Sequence, residues 1–173
     1  MPLIKTTLAL RGHTPVMHPH ASHRNKVSVA AAVTLSPRRG HVGLYYQTYP
    51  DAHVDEVIYS HFLGMLLRQF HGPMILLHDR GNMHRGPTMR ALEQTHSTRL
   101  CIERFPAHAP ELNPAESVWN HAKDKELANF VPHDLGELDK ALCDCLEKTR
   151  NDQERLRSFL LATPLSWSAT GLF

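Results

Sequence analysis

Two carboxylates in this chain stand where carboxylates can do chemistry. Asp79 follows the apolar run Met74-Ile75-Leu76-Leu77 and His78, and it opens into Arg80, Gly81 and Asn82. A strand that ends in an aspartate and runs into a glycine loop puts the acid at the carboxyl edge of a sheet, where open α/β folds place their ligands. Glu116 comes after Asn113, Pro114 and Ala115. That order reads as a helix cap, a first helical residue and a first turn, approached through a loop stiffened by Pro106 and Pro110. Hard oxygen ligands of this kind suit magnesium or manganese, which polarise phosphoryl oxygen and activate water in a two-metal phosphodiester displacement. Each acid also has a structural use. Asp79 can cap a turn, and Asn113-x-x-Glu116 matches the arrangement in which a glutamate folds back onto the helix amides. Residue types and spacing leave both uses open.

The elements that must position these acids follow from periodicity. Lys26 to Leu35 is β-branched and apolar, Ser36 to Gly40 supplies a turn, and Val42 to Gln47 returns, which predicts a hairpin. From His53 to Phe70 the residues Val54, Val57, Ile58, Phe62, Met65 and Leu66 recur with helical spacing. Asp51, Asp55 and Glu56 fall at the positive end of that helix, where the dipole favours them. Met74 to Leu77 is a short buried strand, Pro87 to Thr95 a helix, and Leu100 to Phe105 a further strand. A helix from Pro114 to about Leu127 turns Ala115, Val118, Trp119 and Ala122 to the core, with Glu116, Asn120 and Lys123 on another face. The next begins after Asp134 and runs through Leu135, Leu138, Leu142 and Leu146, with Glu137 completing a capping box. The tail from Asn151 is helical to about Leu161.

At 173 residues the chain is one domain by length, able to bury roughly 70% of its unfolded surface without disulfide staples. Cys101, Cys143 and Cys145 form no Cys-x-x-Cys pair, which suits a reducing, intracellular setting. No apolar run approaches a membrane span. A formal charge of +2 is too small to demonstrate a polyanion partner, so nucleic-acid binding must rest on a site. His18, His20 and His23 are close in sequence, but no cysteine or carboxylate accompanies them and they read as a polar loop. The entry from Met1 to Asn25 is irregular, with at most a short strand at Thr7 to Leu10.

Two blocks of sequence go further. Ile75-Leu76-Leu77-His78-Asp79-Arg80-Gly81-Asn82-Met83-His84, followed by Phe105-Pro106-Ala107-His108-Ala109-Pro110-Glu111-Leu112-Asn113-Pro114-Ala115-Glu116-Ser117-Val118-Trp119, resembles the end of the DDE endonuclease domain of insertion-sequence transposases related to the mariner superfamily. The family pattern is an apolar strand ending in Asp-Asn-x-x-x-His, then Leu-Pro-x-Tyr-x-Pro-x-Leu-Asn-Pro-Ile-Glu-x-x-Trp. Phe105 and His108 replace the commoner Leu and Tyr, and Arg80 replaces Asn. Leu8-Ala9-Leu10-Arg11-Gly12-His13-Thr14-Pro15 resembles the segment after the family's first catalytic strand, so the likeness extends from about Leu3 to Leu146.

The resemblance implies an α/β, RNase H-like fold, a mixed sheet flanked by helices. It makes residues 1–150 an incomplete DDE catalytic domain and 151–173 a carboxyl-terminal helical tail. Asp79 and Glu116 would be the second and third metal-binding and catalytic acids, for Mg2+ or Mn2+, with His84 and Asn113 in support. The implied activity is metal-dependent DNA strand cleavage and strand transfer in DNA transposition, with transposon ends and target DNA as partners. A homo-oligomer or an upstream fragment would complete the assembly, located with the nucleoid of a bacterial cytoplasm. Arg80, Arg85 and Lys123 are possible DNA contacts. The family's first acid, in an Asp-Glu-Ser-Gly strand, has no counterpart here. The expectation is therefore an amino-terminally truncated domain that lacks the first central strand, leaves strand edges open and is inactive alone. The alternative is a non-catalytic remnant that binds DNA or a full-length transposase.

Overall fold

The computed structural model describes Arg11 and residues 26–165. The expected strand at Thr7 to Leu10, the histidines 18, 20 and 23 and most of the Leu8 to Pro15 segment lie outside the described residues. Strands β1 (Val27–Ser36) and β2 (His41–Pro50) form an antiparallel hairpin, in register from Val27 opposite Pro50 to Ser36 opposite His41. The turn closes with Gly40 at φ 57°, a left-handed conformation that glycine adopts without a Cβ penalty. The hairpin is longer than the expected return strand. Every residue of β2 finds a partner on β1, and the ladder ends only where Asp51 turns to φ 53° and donates its N–H to the Lys26 carbonyl at 2.9 Å.

Helix α1 (Glu56–Gln69) begins on Asp55, whose carboxylate accepts the Ile58 N–H at 2.9 Å. It therefore starts three residues later than its apolar periodicity predicts. Its buried face is Tyr59, Phe62, Leu63, Leu66 and Leu67, whereas Val57 and Met65, members of the same apolar pattern, are exposed. They sit on the opposite flank of the i, i+3, i+4, i+7 stripe. The Arg99 guanidinium donates to the Leu67 and Phe70 carbonyls and closes the carboxyl end of α1.

Strands β3 (Met74–His78) and β4 (Leu100–Arg104) pair in parallel, joined through α2 (Pro87–Thr95). Helices α3 (Pro114–His121), α4 (Leu135–Arg150) and α5 (Gln153–Leu161) complete the described chain. After His121 the helix continues as a π turn over Ala122–Glu126, so Lys123 lies in a widened turn instead of the regular α-helix expected there.

Among the described residues the strands form two separate two-stranded sheets, β1 with β2 and β3 with β4. No hydrogen-bonded ladder joins β1 to β3, and Ile75 and Leu77 on β3 are 69% and 45% exposed. Alternation along the hairpin divides the interior in two. Ala30, Ala32, Tyr45 and Tyr49 face α1, Met89 of α2, Met74 and Leu76 of β3, and Ile102 of β4. Val29, Ala31, Val33, Leu35, Val42, Leu44 and Tyr46 face Val118 and Trp119 of α3, Leu146 of α4, and Leu156 and Leu160 of α5. Each fully buried leucine contributes about 2 kcal/mol to this packing. The result is a mixed α/β body with helices on both sides of the hairpin.

Candidate functional site

Asp79 stands immediately after β3, as its sequence context requires. Its Oδ1 accepts the Gly81 N–H at 2.8 Å and lies 3.0 Å from Nε2 of His84. His84 belongs to a single 3-10 turn, Asn82–His84, which brings its ring back over the aspartate. The aspartate side chain is 64% exposed and the histidine 8%. Oδ2 of Asp79 has no partner among the described residues, so one carboxylate oxygen is held and the other is free.

The surroundings of His84 are aromatic. Its ring meets the Tyr59 ring edge-on with centroids 4.3 Å apart, and the His78 ring lies at the same distance, tilted by 35°. Nδ1 of His78 is 2.6 Å from the Asp79 carbonyl. That contact requires a proton on Nδ1, and the contact to Asp79 Oδ1 requires one on Nε2 of His84. The other nitrogen of each ring is buried without a partner among the described residues. Burial pushes the His84 pKa down to about 4, the neighbouring His78 adds to that, and Asp79 opposes it. His84 is accordingly a neutral imidazole near pH 7, donating one hydrogen bond to Asp79. Burial, with the charge of Asp79, raises the Tyr59 hydroxyl well above its ordinary value. Tyr59 and His78 complete this pocket, yet nothing in their sequence positions separates them from ordinary helix and strand residues.

Glu116 is placed by the proline loop. Pro110–Leu112 forms a 3-10 turn, in which the Leu112 N–H donates to the Ala109 carbonyl at 3.2 Å and the Asn113 N–H to the Pro110 carbonyl at 3.0 Å. His108, at φ 58°, makes the left-handed bend that precedes it. Asn113 then caps α3, its Oδ1 accepting the Ala115 N–H at 3.1 Å. The amides that a glutamate at Glu116 could fold back onto are already taken by the 3-10 turn. The Glu116 carboxylate is half-buried and has no hydrogen-bond or ion-pair partner among the described residues.

The two acids are anchored to different cores. Asp79 extends β3, which packs on the α1 side, and Glu116 rides on α3, fixed by Val118 and Trp119 on the other side. Among the described residues no group of three His, Cys, Asp or Glu side chains is placed to hold a metal ion. The donors present fit a divalent ion in type, each acid offering hard oxygen, but not in number. Of the other expected residues, Arg80 donates from Nε to the Phe105 carbonyl at 3.2 Å, and Arg85 donates to the Arg80 carbonyl at 2.5 Å. Lys123 is exposed on the π turn. Of the nearby acids, Asp55 serves α1 as expected. Glu56 does not remain with its own helix and caps α2, its Oε1 accepting the Thr88 N–H at 2.5 Å and the Met89 N–H at 3.0 Å. Cys145 is buried packing, Cys143 half-buried and Cys101 exposed, all as free thiols. No described helix is long and apolar enough to cross a membrane.

A family model described as DDE superfamily endonuclease matches residues 3–139. No curated protein matches the chain. Among solved structures, the Mos1 strand transfer complex is similar with a TM-score of 0.65 at 18% identity, covering 96% of this chain and 48% of that one. The Mos1 paired-end complex with left transposon end gives 0.64 at 18%, covering 96% and 49%. The Mos1 mariner paired-end complex with Mn gives 0.61 at 15%, covering 97% and 51%. The chain spans about half the length of these solved chains, and the likeness carries the RNase H-like fold expected from the sequence.

Proposed function

The chain belongs to the DDE superfamily endonucleases, and from that premise we propose that it is the catalytic part of a mariner-related transposase. The reaction is metal-dependent DNA strand cleavage and strand transfer during transposition. Residues 1–150 form the catalytic body, and residues 151–173 are a carboxyl-terminal addition whose helix α5 supplies Leu156 and Leu160 to the second core. One observation carries the reading. Asp79 at the carboxyl end of β3 keeps one carboxylate oxygen unspent after its turn contact, and Glu116 in the first turn of α3 keeps its whole carboxylate unspent, among the described residues.

Asp79 and Glu116 would hold Mg2+ or Mn2+. Such an ion polarises a phosphoryl oxygen and lowers the pKa of bound water. His84 is a positioning residue. Its Nε2 proton fixes Oδ1 of Asp79, and its lowered pKa keeps it from adding a positive charge where a cation must sit. Asn113 acts through the helix, holding the first turn of α3 so that Glu116 is presented at one place. With two acids the 173-residue chain holds the ion weakly and cleaves poorly alone. A homo-oligomer, or an upstream fragment bearing the third acid, would complete the assembly. DNA at transposon ends and targets is the partner, and a bacterial nucleoid the setting.

Nicking of DNA carrying the element's terminal repeats, in Mn2+, tests this. The chain alone should cleave weakly or not at all, and a version extended upstream by an Asp-bearing strand should cleave and lose that activity in Asp79→Ala. Efficient cleavage by the 173-residue chain that Asp79→Ala abolishes would overturn the claim of poor activity. Cleavage that survives Asp79→Ala and Glu116→Ala would overturn the site. A second reading, a remnant that binds DNA or a full-length transposase without cleaving, draws on exposed Ile75 and Leu77 and on the edge of β3 away from β4, which no strand pairs among the described residues. Inhibition of an intact transposase by the uncleaving chain would favour it.

A further inference from the structure

Beside the Asp79 loop lies a cavity of about 560 Å³ lined by Arg80, Arg85, Arg90 and Arg104, together with His84, Met89, Ile102, Glu93 and Glu103. The arginines are not scattered. Arg90 donates to the Arg85 carbonyl at 3.1 Å, Arg85 to the Arg80 carbonyl at 2.5 Å, and Arg80 to the Phe105 carbonyl at 3.2 Å. Arg90 and Arg85 are each held by the backbone carbonyl of the arginine five residues earlier, and Arg80 by the carbonyl of Phe105 at the end of the neighbouring strand. Backbone carbonyls fix a guanidinium without neutralising it, and none of the four arginines forms an ion pair with a carboxylate among the described residues. Arg104, at the end of β4, donates no hydrogen bond among the described residues, and its charge reaches His84, where it works against protonation. Four guanidinium groups against Glu93 and Glu103 leave the cavity cationic.

We propose that this arginine-lined cavity is a binding site for the phosphodiester backbone of DNA, gripping the strand beside Asp79 independently of metal. The choice of DNA as the polyanion rests on the transposase reading. Guanidinium presents a planar fork matched to phosphate oxygens. Pinning three of the four in advance lowers the ordering cost of binding. Contacts of this kind position a duplex without reading its sequence. Arg90 and Arg104 thereby join Arg80 and Arg85 in one site, and Lys123, on the α3 side, belongs to none of it.

The test is fluorescence anisotropy of a labelled duplex of arbitrary sequence with the full 173-residue chain, in EDTA, across a salt series. Arg104→Gln is the primary variant, because it breaks no hydrogen bond among the described residues. Arg90→Gln is the second and Arg38→Gln, at the exposed hairpin turn, the control. Circular dichroism melting checks that each variant folds. Arg104→Gln and Arg90→Gln should each weaken binding about tenfold and lower the salt slope by about 1. Arg38→Gln should leave both unchanged. Unaltered affinity and slope in folded Arg104→Gln and Arg90→Gln would overturn the proposal, as would an equal loss in Arg38→Gln. If the arginine variants lose binding while no Mn2+-dependent cleavage appears in any version of the chain, the catalytic reading fails and this site stands.

Discussion

Helices α3 and α4 start on the same arrangement, a capping Asn or Asp followed three residues later by Glu, and the two glutamates end in opposite states. At α4 the box closes. Asp134 accepts the Glu137 N–H at 2.8 Å, and Glu137 reaches back to the His133 N–H at 2.6 Å. At α3 the cap forms, with Asn113 accepting from Ala115, but Glu116 reaches nothing among the described residues. The difference lies upstream of each helix. Before α3 the Pro110–Leu112 turn has already consumed the Leu112 and Asn113 amides, whereas before α4 the His133 amide donates to Glu137. A proline loop can therefore hold a glutamate in a helix's first turn and still leave its carboxylate unused. That is the local physics expected of a ligand. The third case is Glu56, which begins α1 and caps α2 across space.

The contrast predicts three different costs. Glu56 makes the largest contribution, since its carboxylate serves two amides of another helix, and Gly86 leaves room for it where a Cβ would collide. Glu56→Ala should lower stability by about 2 kcal/mol in urea unfolding. Gly86→Ala should cost about 1 to 3 kcal/mol through the same carboxylate. Indifference to both changes would mean that α1 and α2 are not tied through this contact.

Glu137→Gln and Glu116→Gln make the sharper pair. The first should cost about 0.5 to 1 kcal/mol, because a closed box loses its charge-assisted half. The second should stay within about 0.5 kcal/mol, because no contact is lost. Equal costs at the two helix starts would show that Glu116 is capping α3 after all.

A smaller, pH-dependent effect checks the carboxyl end of α3. His121 lies beside Arg155, whose guanidinium is 2.6 Å from Nε2. Burial, then the Arg155 charge, holds its pKa below the ordinary value. The unfolded chain thus binds more protons than the folded one as pH falls through that ordinary value of about 6.5, and stability drops in that direction. His121→Asn should lessen the fall in urea midpoint between pH 7 and pH 5, and an unchanged fall would remove His121 from the account.

The hairpin, the apolar strand before Asp79 and the Asn113-Pro114 helix start are legible in the sequence because their signals are local: β-branched runs, a strand end, a cap. Glu116's freedom was not, since Asn-x-x-Glu reads alike at both helices and only the hydrogen bonds of the preceding turn separate them. The destination of Glu56, the Tyr59 and His78 surroundings of His84, and the chain of arginines depend on which elements meet in space. The exposure of Val57 and Met65 is hidden in the sequence for a simpler reason. A helix in which more apolar residues occur than one stripe can hold does not reveal which of them will stay outside.

Manganese binding to the 173-residue chain, followed by calorimetry at pH 7, compares the two helix starts directly. The account predicts weak binding that Asp79→Asn and Glu116→Gln each diminish and Glu137→Gln leaves untouched. Binding unaffected by Glu116→Gln, or lost equally in Glu137→Gln, would contradict it.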